Sequence, residues 1–487
     1  MKHIVFIISF FIVALSHGQN KYDKAKISSK IKTVVEKISQ QNRLTGEYIG
    51  YAGSKSTQYE NFEELKNAST DELISLTNHP NGVVRCYAFW TLGFKSNVDL
   101  FEIVKNHLND NEIIEYQSGC IISSEKVGDF YISLVTPEYV DLDVKKLNDL
   151  ERKTLDSLLI YQENELNARH TAIELAEPTP QLYPILRKLY VTNHNQSALL
   201  KLSTYKREED IPLILANRED DEDKESGYFF TYGAIQNFPR KEFIPFLEAR
   251  LQETLDERHY SQEWRKLYSA IAVYKNQKAL ELLKIPFTHV THDHIKKYHL
   301  DFIYDAILET PDPLYAELLW ELWGQDQEIT LTGYRFYLQN DINRGYTMTV
   351  KKLGGQKMGT NILPIFNESI FTDNLEESML NLIILNDKKL AHQIIESKIL
   401  DANVHEFPIY TSVIRKNKDK SFVESLFKRF GKEWNAHVYL EIAKTLIEFE
   451  DKAINDRIIV TRKNNKKLNE NWGGEALTKL LKEKNIK

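Results

Sequence analysis

Cysteine is almost absent from this chain of 487 residues, Cys86 and Cys120 being the only two. That is too few for a disulfide scaffold or a cysteine zinc site. The two lie about one repeat length apart, which would place them on equivalent helices of adjacent units. Two buried free thiols are expected rather than a bridge, because a disulfide needs Cα atoms within about 7 Å. A basic excess is missing too. With 63 Lys and Arg against 70 Asp and Glu the formal charge is −7, which argues against nucleic acid as partner, since phosphate binding needs a basic footprint. Past the first residues no apolar run reaches the length of a membrane-spanning helix. No Gly-x-Ser-x-Gly elbow and no His-Glu-x-x-His helix occurs. Gly354 to Thr360 has the two outer glycines of a phosphate loop but no lysine after the second. No cofactor is therefore expected.

What is present begins with Lys2, the apolar run Ile4 to Leu15, and the small residues Ser16 and Gly18 at the minus-three and minus-one positions of a cleavage site. This pattern predicts a secretory signal peptide over residues 1–18. No cysteine follows it, so a lipid anchor is not expected. Its removal takes away one Lys and leaves 62 basic against 70 acidic residues, a formal charge of −8. The mature chain is expected to be exported, to the periplasm or beyond. From Lys21 to Gln41, Ile27, Ile31, Val34, Val35 and Ile38 share one helical face and predict an N-terminal capping helix. Arg43 to Glu60 is richer in Gly, Ser and Tyr, keeps no period, and reads as a loop.

The stretch Thr70 to Asp110 organises the rest. Leu73, Ile74 and Leu76 mark a short helix that stops at His79-Pro80-Asn81-Gly82. Val83, Val84, Tyr87, Ala88 and Leu92 recur at helical spacing up to Gly93, with Arg85 among them. A third helix begins at Asp99, a plausible N-cap, and carries Leu100, Ile103, Val104 and Leu108. The Asn-His-Pro-Asn turn, the Val83-Val84-Arg85 start, Ala88 and the closing Asp110 make this unit resemble a HEAT repeat. The resemblance implies an all-α solenoid of serial antiparallel helical hairpins.

Related phrases return at spacings in the thirties, a period that points to stacked units too small to bury their own apolar faces. Ala198-Leu199-Leu200 leads to Ile211-Pro212, Ala234-Ile235 to Ile244-Pro245, and Ala270-Ile271 to Ala279-Leu280. Ala172-Ile173, Ala306-Ile307, Leu382-Ile383 and Leu446-Ile447 head further copies. Pro184, Pro212 and Pro245 sit just inside helix starts, where a missing N–H costs nothing. The organisation expected is a signal peptide (1–18), a capping helix and loop (19–61), HEAT-like repeats (62–328), an irregular insertion or degenerate repeat (329–361), and further repeats with a cap (362–487).

Two stretches break the period. Gly128 to Asp143 is compatible with a short helix and a loop. In Ile329 to Asn361, Tyr334 to Leu338 and Tyr346 to Val350 flank the turn signals Asn340-Asp341 and Arg344-Gly345, as a hairpin or long loop would. Such a segment would expose Tyr334, Phe336, Tyr337 and Tyr346, and these are the candidate partner-binding residues; as a degenerate repeat it would place them in the core. His289, His292, Asp293, His294 and His299 form the densest possible ligand cluster, but their spacing matches no zinc pattern. Thr291 or Asp293 as a helix cap explains the stretch as well. Glu219 to Asp223 offers clustered oxygens for calcium, without the glycine and distal glutamate of an EF-hand. Trp90, Trp320 and Trp323 could stack on sugars, but core packing accounts for them.

Two functions follow from different classes. The first is an exported, non-enzymatic solenoid that holds a protein or peptide on its concave surface. The second is an α/α-toroid glycoside hydrolase or polysaccharide lyase, also built from serial helical hairpins, which would need two carboxylates and several aromatics on one rim. The missing motifs favour the first.

Overall fold

A computed structural model describes residues 22–136, 144–219, 227–325, 328–354 and 364–486. Residues 1–18, expected as a signal peptide, lie outside them, as do 137–143, most of the acidic run and the end of the glycine-rich stretch. The chain divides into two compact units, Met1–Arg250 and Leu251–Lys487. It is mostly helical, but a small four-stranded sheet corrects the all-α expectation. No helix among the described residues is long and apolar enough to cross a membrane.

The N-terminal unit opens with α1 (Ser29–Gln41), which turns Ile31, Val34, Val35 and Ile38 inward and ends where Asn42 takes the left-handed conformation. The segment expected as a loop then forms β1 (Leu44–Ile49), β2 (Ser54–Lys55) and the start of α2 (Thr57–Leu65). Next come α3 (Thr70–Leu76), α4 (Gly82–Leu92), α5 (Leu100–Asn106), β3 (Ile113–Gly119), β4 (Ile121–Lys126) and α6 (Val127–Val135). The sheet order is β2-β1-β3-β4. β1 and β3 are parallel, pairing Leu44 with Tyr116, while the two outer pairs are antiparallel. Leu44 and Ile114 face the core, and Ile113, Ile121 and Ile122 face outward. Cys120 sits exposed in the β3–β4 turn and Cys86 is buried in α4, so the expectation of equivalent helices fails. Both thiols are free, as expected, but only Cys86 is buried.

Helix α4 is buried on every side, a pattern that marks a central helix rather than a surface one. Asn81 caps it by accepting the Val84 N–H at 3.0 Å. Gly82 is required there, since a Cβ would come within 2.8 Å of both Glu112 Oε1 and Ile114 Cγ2. The Tyr87 hydroxyl accepts the Thr45 N–H at 2.8 Å and ties α4 to β1. Arg85 is the one charged residue of α4, and all five of its N–H donors are engaged. Nε and Nη2 grip the Asp110 carboxylate at 2.8 Å each, and Nη2 also reaches Glu112 at 2.7 Å. Nη1 donates to the carbonyls of His79 at 2.8 Å and Pro80 at 3.2 Å. Burial works against charge at both ends, yet Asp110 and Glu112 hold Arg85 above its ordinary range, and the His107 hydrogen bond together with Arg85 holds Asp110 below its own. At α3, Ser69 and Glu72 form a capping box, and Glu72 also accepts the Ser28 N–H at 2.9 Å. Against the opposing effect of burial, these bonds hold the Glu72 carboxyl at about 2. Glu125 is the contrary case: burial first, and then the Asp129 charge, push it up to about 7.

The remaining helices of this unit are α7 (Asp149–Tyr161), α8 (Ala168–Leu175), α9 (Tyr183–Asn193), α10 (Gln196–Ser203), α11 (Ile211–Ala216) and α12 (Phe229–Asn237), and the division between the units falls within α13 (Ile244–Thr254). Each repeated phrase falls on a helix, and Pro184 and Pro212 stand in first turns as expected. Helix α8 packs on α7 and α10, and α10 packs on α9 and α12. Asp129 of α6 accepts the N–H groups of Asn167 at 3.0 Å and Ala168 at 2.9 Å, capping α8 from another helix.

The C-terminal unit contains α14 (Glu263–Ala272), α15 (Gln277–Lys284), α16 (Pro286–His289), α17 (Asp293–Glu309), α18 (Ala316–Gly324), α19 (Leu331–Asn340) and α20 (Ile342–Lys352). It closes with α21 (Leu375–Asn386), α22 (Lys388–Asp401), α23 (Phe407–Asn417), α24 (Val423–Phe430), α25 (Ala436–Ile447), α26 (Lys452–Asn464) and α27 (Asn471–Glu483). Every second helix packs on the next in the series α21, α23, α25, α27. The stretch expected as a hairpin or loop is the helix pair α19–α20. Tyr334, Tyr337 and Tyr346 are core and Phe336 is half-buried, which corrects the exposure expected of a hairpin or loop and agrees with the core placement expected of a degenerate repeat. The physical reason is that Tyr334 and Tyr337 each find both an apolar slot and a polar anchor, while the Tyr346 hydroxyl is buried without a hydrogen bond among the described residues. Tyr337 donates to the Leu319 carbonyl at 2.7 Å and lies 4.7 Å from the rings of both Trp320 and Trp323. The Tyr334 hydroxyl meets Thr349 Oγ1 at 2.9 Å.

Replacing Arg85 by Leu strands Asp110 and Glu112 and is expected to cost about 3–5 kcal/mol in urea unfolding of the N-terminal unit. Lys at this position cannot reproduce the fork and should recover less than half of the loss; a change below about 1 kcal/mol for Leu would show the network to be dispensable. In the C-terminal unit, Tyr334→Ser together with Tyr337→Ser should lower the melting temperature by several degrees. An unchanged melting curve would contradict their place in the core.

Candidate functional site

The histidine-rich stretch does not converge. Among the described residues no group of three or more His, Cys, Asp and Glu could hold a metal. His289 Nδ1 meets Thr288 Oγ1 at 2.8 Å, and His294 Nε2 lies 3.1 Å from the Arg258 carbonyl. His292 is 4.0 Å from Asp256, and Asp293 opens α17. Neither Thr291 nor Asp293 caps that helix: His292 holds the cap position and makes no side-chain bond there. His299 has a different role. It is fully buried between α14 and α17, stacked on Trp264 at 4.5 Å, with Nδ1 2.5 Å from the Tyr268 hydroxyl. Trp90, Trp320 and Trp323 are buried, so they offer no sugar platform. Of the acidic run only Glu219 is described, and of the glycine stretch only Gly354.

The surface with the features of a binding site lies in the N-terminal unit, between α9 and α11. A groove of about 910 Å³ has Val191, Leu213, Ala216 and Phe230 as its apolar lining. His194, Gln196, Arg218 and Glu219 supply polar groups along it. The local sequence explains the geometry. Pro184 starts α9, and His194 ends it in the left-handed conformation, its N–H bonded back to Tyr190. Asn195 then caps α10 through the Ala198 N–H at 2.9 Å. Buried Asp210 lies 2.9 Å from the Tyr183 hydroxyl and 3.3 Å from Arg187 Nε, and so holds α9 beside the start of α11. Burial, then the neighbouring Glu209 and Asp210, raise the Tyr183 phenol well above its usual range. On the groove wall Tyr190 donates to Asn217 Oδ1 at 3.0 Å, and Asn217 donates to Thr231 at 3.0 Å.

Two details decide what this surface can do. Val191 is 52% exposed, and the buried amide oxygen of Gln196 accepts no hydrogen bond from the described residues. An exposed valine in the same groove as an acceptor without a donor suits an apolar anchor and an N–H along one segment, which an extended peptide carries. A second groove of about 690 Å³ lies between α7 and the end of α8, where Tyr161 is 54% and Leu175 66% exposed. Nearby, His170 Nδ1 meets Ser197 Oγ at 3.2 Å while Ser197 donates to Glu174 at 3.1 Å. This is a helix-to-helix tie and no nucleophile, because the serine is 1% exposed and its proton points at the carboxylate instead of the imidazole. Sequence reasoning passed over Val191 and Leu175. The available signal was an apolar residue off the buried stripe of its own helix, at the same end of two successive helices.

Burial pushes the His299 imidazole down to about 4 from 6.5, with a hydrogen bond to the Thr254 backbone opposing the shift. Between those values the unfolded chain binds the proton and the folded one does not. The contribution is therefore complete above about pH 6.5 and is lost as pH falls toward 4, in total on the order of 3 kcal/mol. The wild-type melting temperature should fall more steeply between pH 7 and 4.5 than that of His299→Gln; parallel curves would contradict a neutral buried imidazole. A scan against protein-family models, a search of curated proteins and a search of solved structures each return no match to this chain.

Proposed function

We propose that this is an exported, non-enzymatic binding protein whose helices stack as HEAT-like solenoid segments, and that the α9–α11 groove holds an extended peptide segment of a protein partner. Support for the stacking comes from the repeated phrases, each of which falls on a helix, and from the packing of alternate helices on one another. Support for export is the Lys2 and Ile4 to Leu15 pattern alone. The observation that carries the binding role is the apolar groove with exposed Val191 and the donor-free Gln196 oxygen. A solenoid presents such surfaces because neighbouring units, not the ligand side, complete each unit's core.

A displayed peptide library selected on the purified protein tests this reading. Recovered peptides should share an apolar anchor and bind the wild type, and Val191→Asp should weaken them by about tenfold or more with the melting temperature unchanged. Peptides that bind Val191→Asp equally well would remove the groove from the reading. Failure to recover any peptide would count against the function itself.

A further inference from the structure

Four of the six tryptophans are buried, Trp90, Trp264, Trp320 and Trp323, at 2% to 6% exposure. The other two are outside: Trp434 is 72% and Trp472 53% exposed. They belong to one corner of the C-terminal unit. Trp434 precedes α25 and Trp472 opens α27, the rings of His437 and Trp472 are 5.0 Å apart, and Gly473 lies against Ala436. The turn after α26 closes on the same corner, where Asn465 donates to the carbonyls of Phe430 at 3.1 Å and Glu433 at 2.9 Å. That turn carries exposed Lys466 and Lys467, and exposed Lys432 stands on the adjoining loop. Trp434 is held outward by design of the backbone. Buried Glu433 pairs with Arg429 at 2.9 Å and accepts the N–H groups of Trp434 at 3.0 Å and Asn435 at 2.9 Å, so the loop is pinned from within.

The charge of the segment that carries Trp472 opposes that of the rest of the chain. From Lys452 to Lys487 ten basic residues face four acidic ones, a formal +6 in a chain of −7, which leaves −13 on the other residues. Exposed tryptophans and lysines together suit an interface that is apolar a short way in and negatively charged outside. An indole settles at the headgroup level of a bilayer, and lysines are drawn to anionic headgroups. The acidic remainder of the chain would be repelled by the same surface. We propose that the Trp434–Trp472 corner docks the protein peripherally on an anionic lipid bilayer, a property separate from the peptide groove.

Mixed vesicles of phosphatidylglycerol and brominated phosphatidylcholine test this on the full chain. No tryptophan lies in residues 1–18, so indole quenching reports only on the corner and not on an apolar N-terminus. Quenching and co-flotation are expected with the mixed vesicles. Both should be weak on phosphatidylcholine alone and weakened by high salt. Trp434→Ser with Trp472→Ser should abolish the quenching with little change in melting temperature. Lys466→Glu with Lys467→Glu, which leaves the indoles in place, should weaken binding about tenfold or more. Absence of quenching, equal binding to neutral vesicles, or unaltered binding by either double variant would overturn the proposal. So would binding of a soluble acidic polysaccharide through the same residues without any vesicle binding, which would assign the corner to a glycan.

Discussion

A guanidinium buried in a helix that has no other charge dictates the arrangement around it. Arg85 cannot lose its proton, so every group within reach must be an acceptor. The carboxylates of Asp110 and Glu112 and the carbonyls of His79 and Pro80 fill that role. In doing so they fix the turn before α4, the segment after α5 and the start of β3. Glu112 also accepts the Gly82 N–H at 2.9 Å, so the same residue that neutralises the charge caps the helix carrying it. The device recurs in a lighter form. Arg169 donates to the carbonyls of Leu159 and Gln162 at the end of α7, and Arg429 to those of Ile399 and Ala402 at the end of α22. In each case an arginine satisfies helix-end carbonyls that would otherwise be buried without donors.

How much of this could be read in advance depends on how local the cause is. Asn81 and Asp99 cap helices within three residues of themselves, and the prolines of α9 and α11 act on their own first turn, so these boundaries were legible. The sheet was not, because nothing in Leu44 to Ile49 alternates and its main partner, β3, is far along the chain. The Tyr334 to Val350 segment misled through its turn-forming residues. Gly345 and Gly333 serve close packing there; a Cβ at Gly333 would lie 1.8 Å from the Tyr304 hydroxyl. The groove was harder to read for a related reason: Val191 stands off the buried stripe of α9, but the walls come from α9, α11 and α12, and only the fold brings them together.

Acid acts on two groups, Glu125 and His299, with opposite sign. Glu125, held neutral up to about pH 7, favours the folded N-terminal unit below its unfolded value of about 4.5, an advantage lost as pH rises through 7. His299 favours its own unit above about 6.5 and loses that advantage as pH falls toward 4. Both effects come from burial, which disfavours whichever form carries charge. A carboxyl and an imidazole in equally dry places therefore pull apart over the same interval.

The parallel pairing of β1 with β3 bears on how the chain can acquire its structure as it is made. Arg43 beside β1 bonds to Glu115 of β3, 72 residues away, so the first strand has only its short pairing with β2 until the chain has been extended through β3. Helices α2 to α5 lie between the two and can form while the strand waits. A chain threaded out of a ribosome or a translocation pore N-terminus first would thus carry a strand with one edge unpaired through that interval. Unpaired strand edges are what holding chaperones bind, and the beginning of this protein, not its long helical remainder, is where its biogenesis is most exposed.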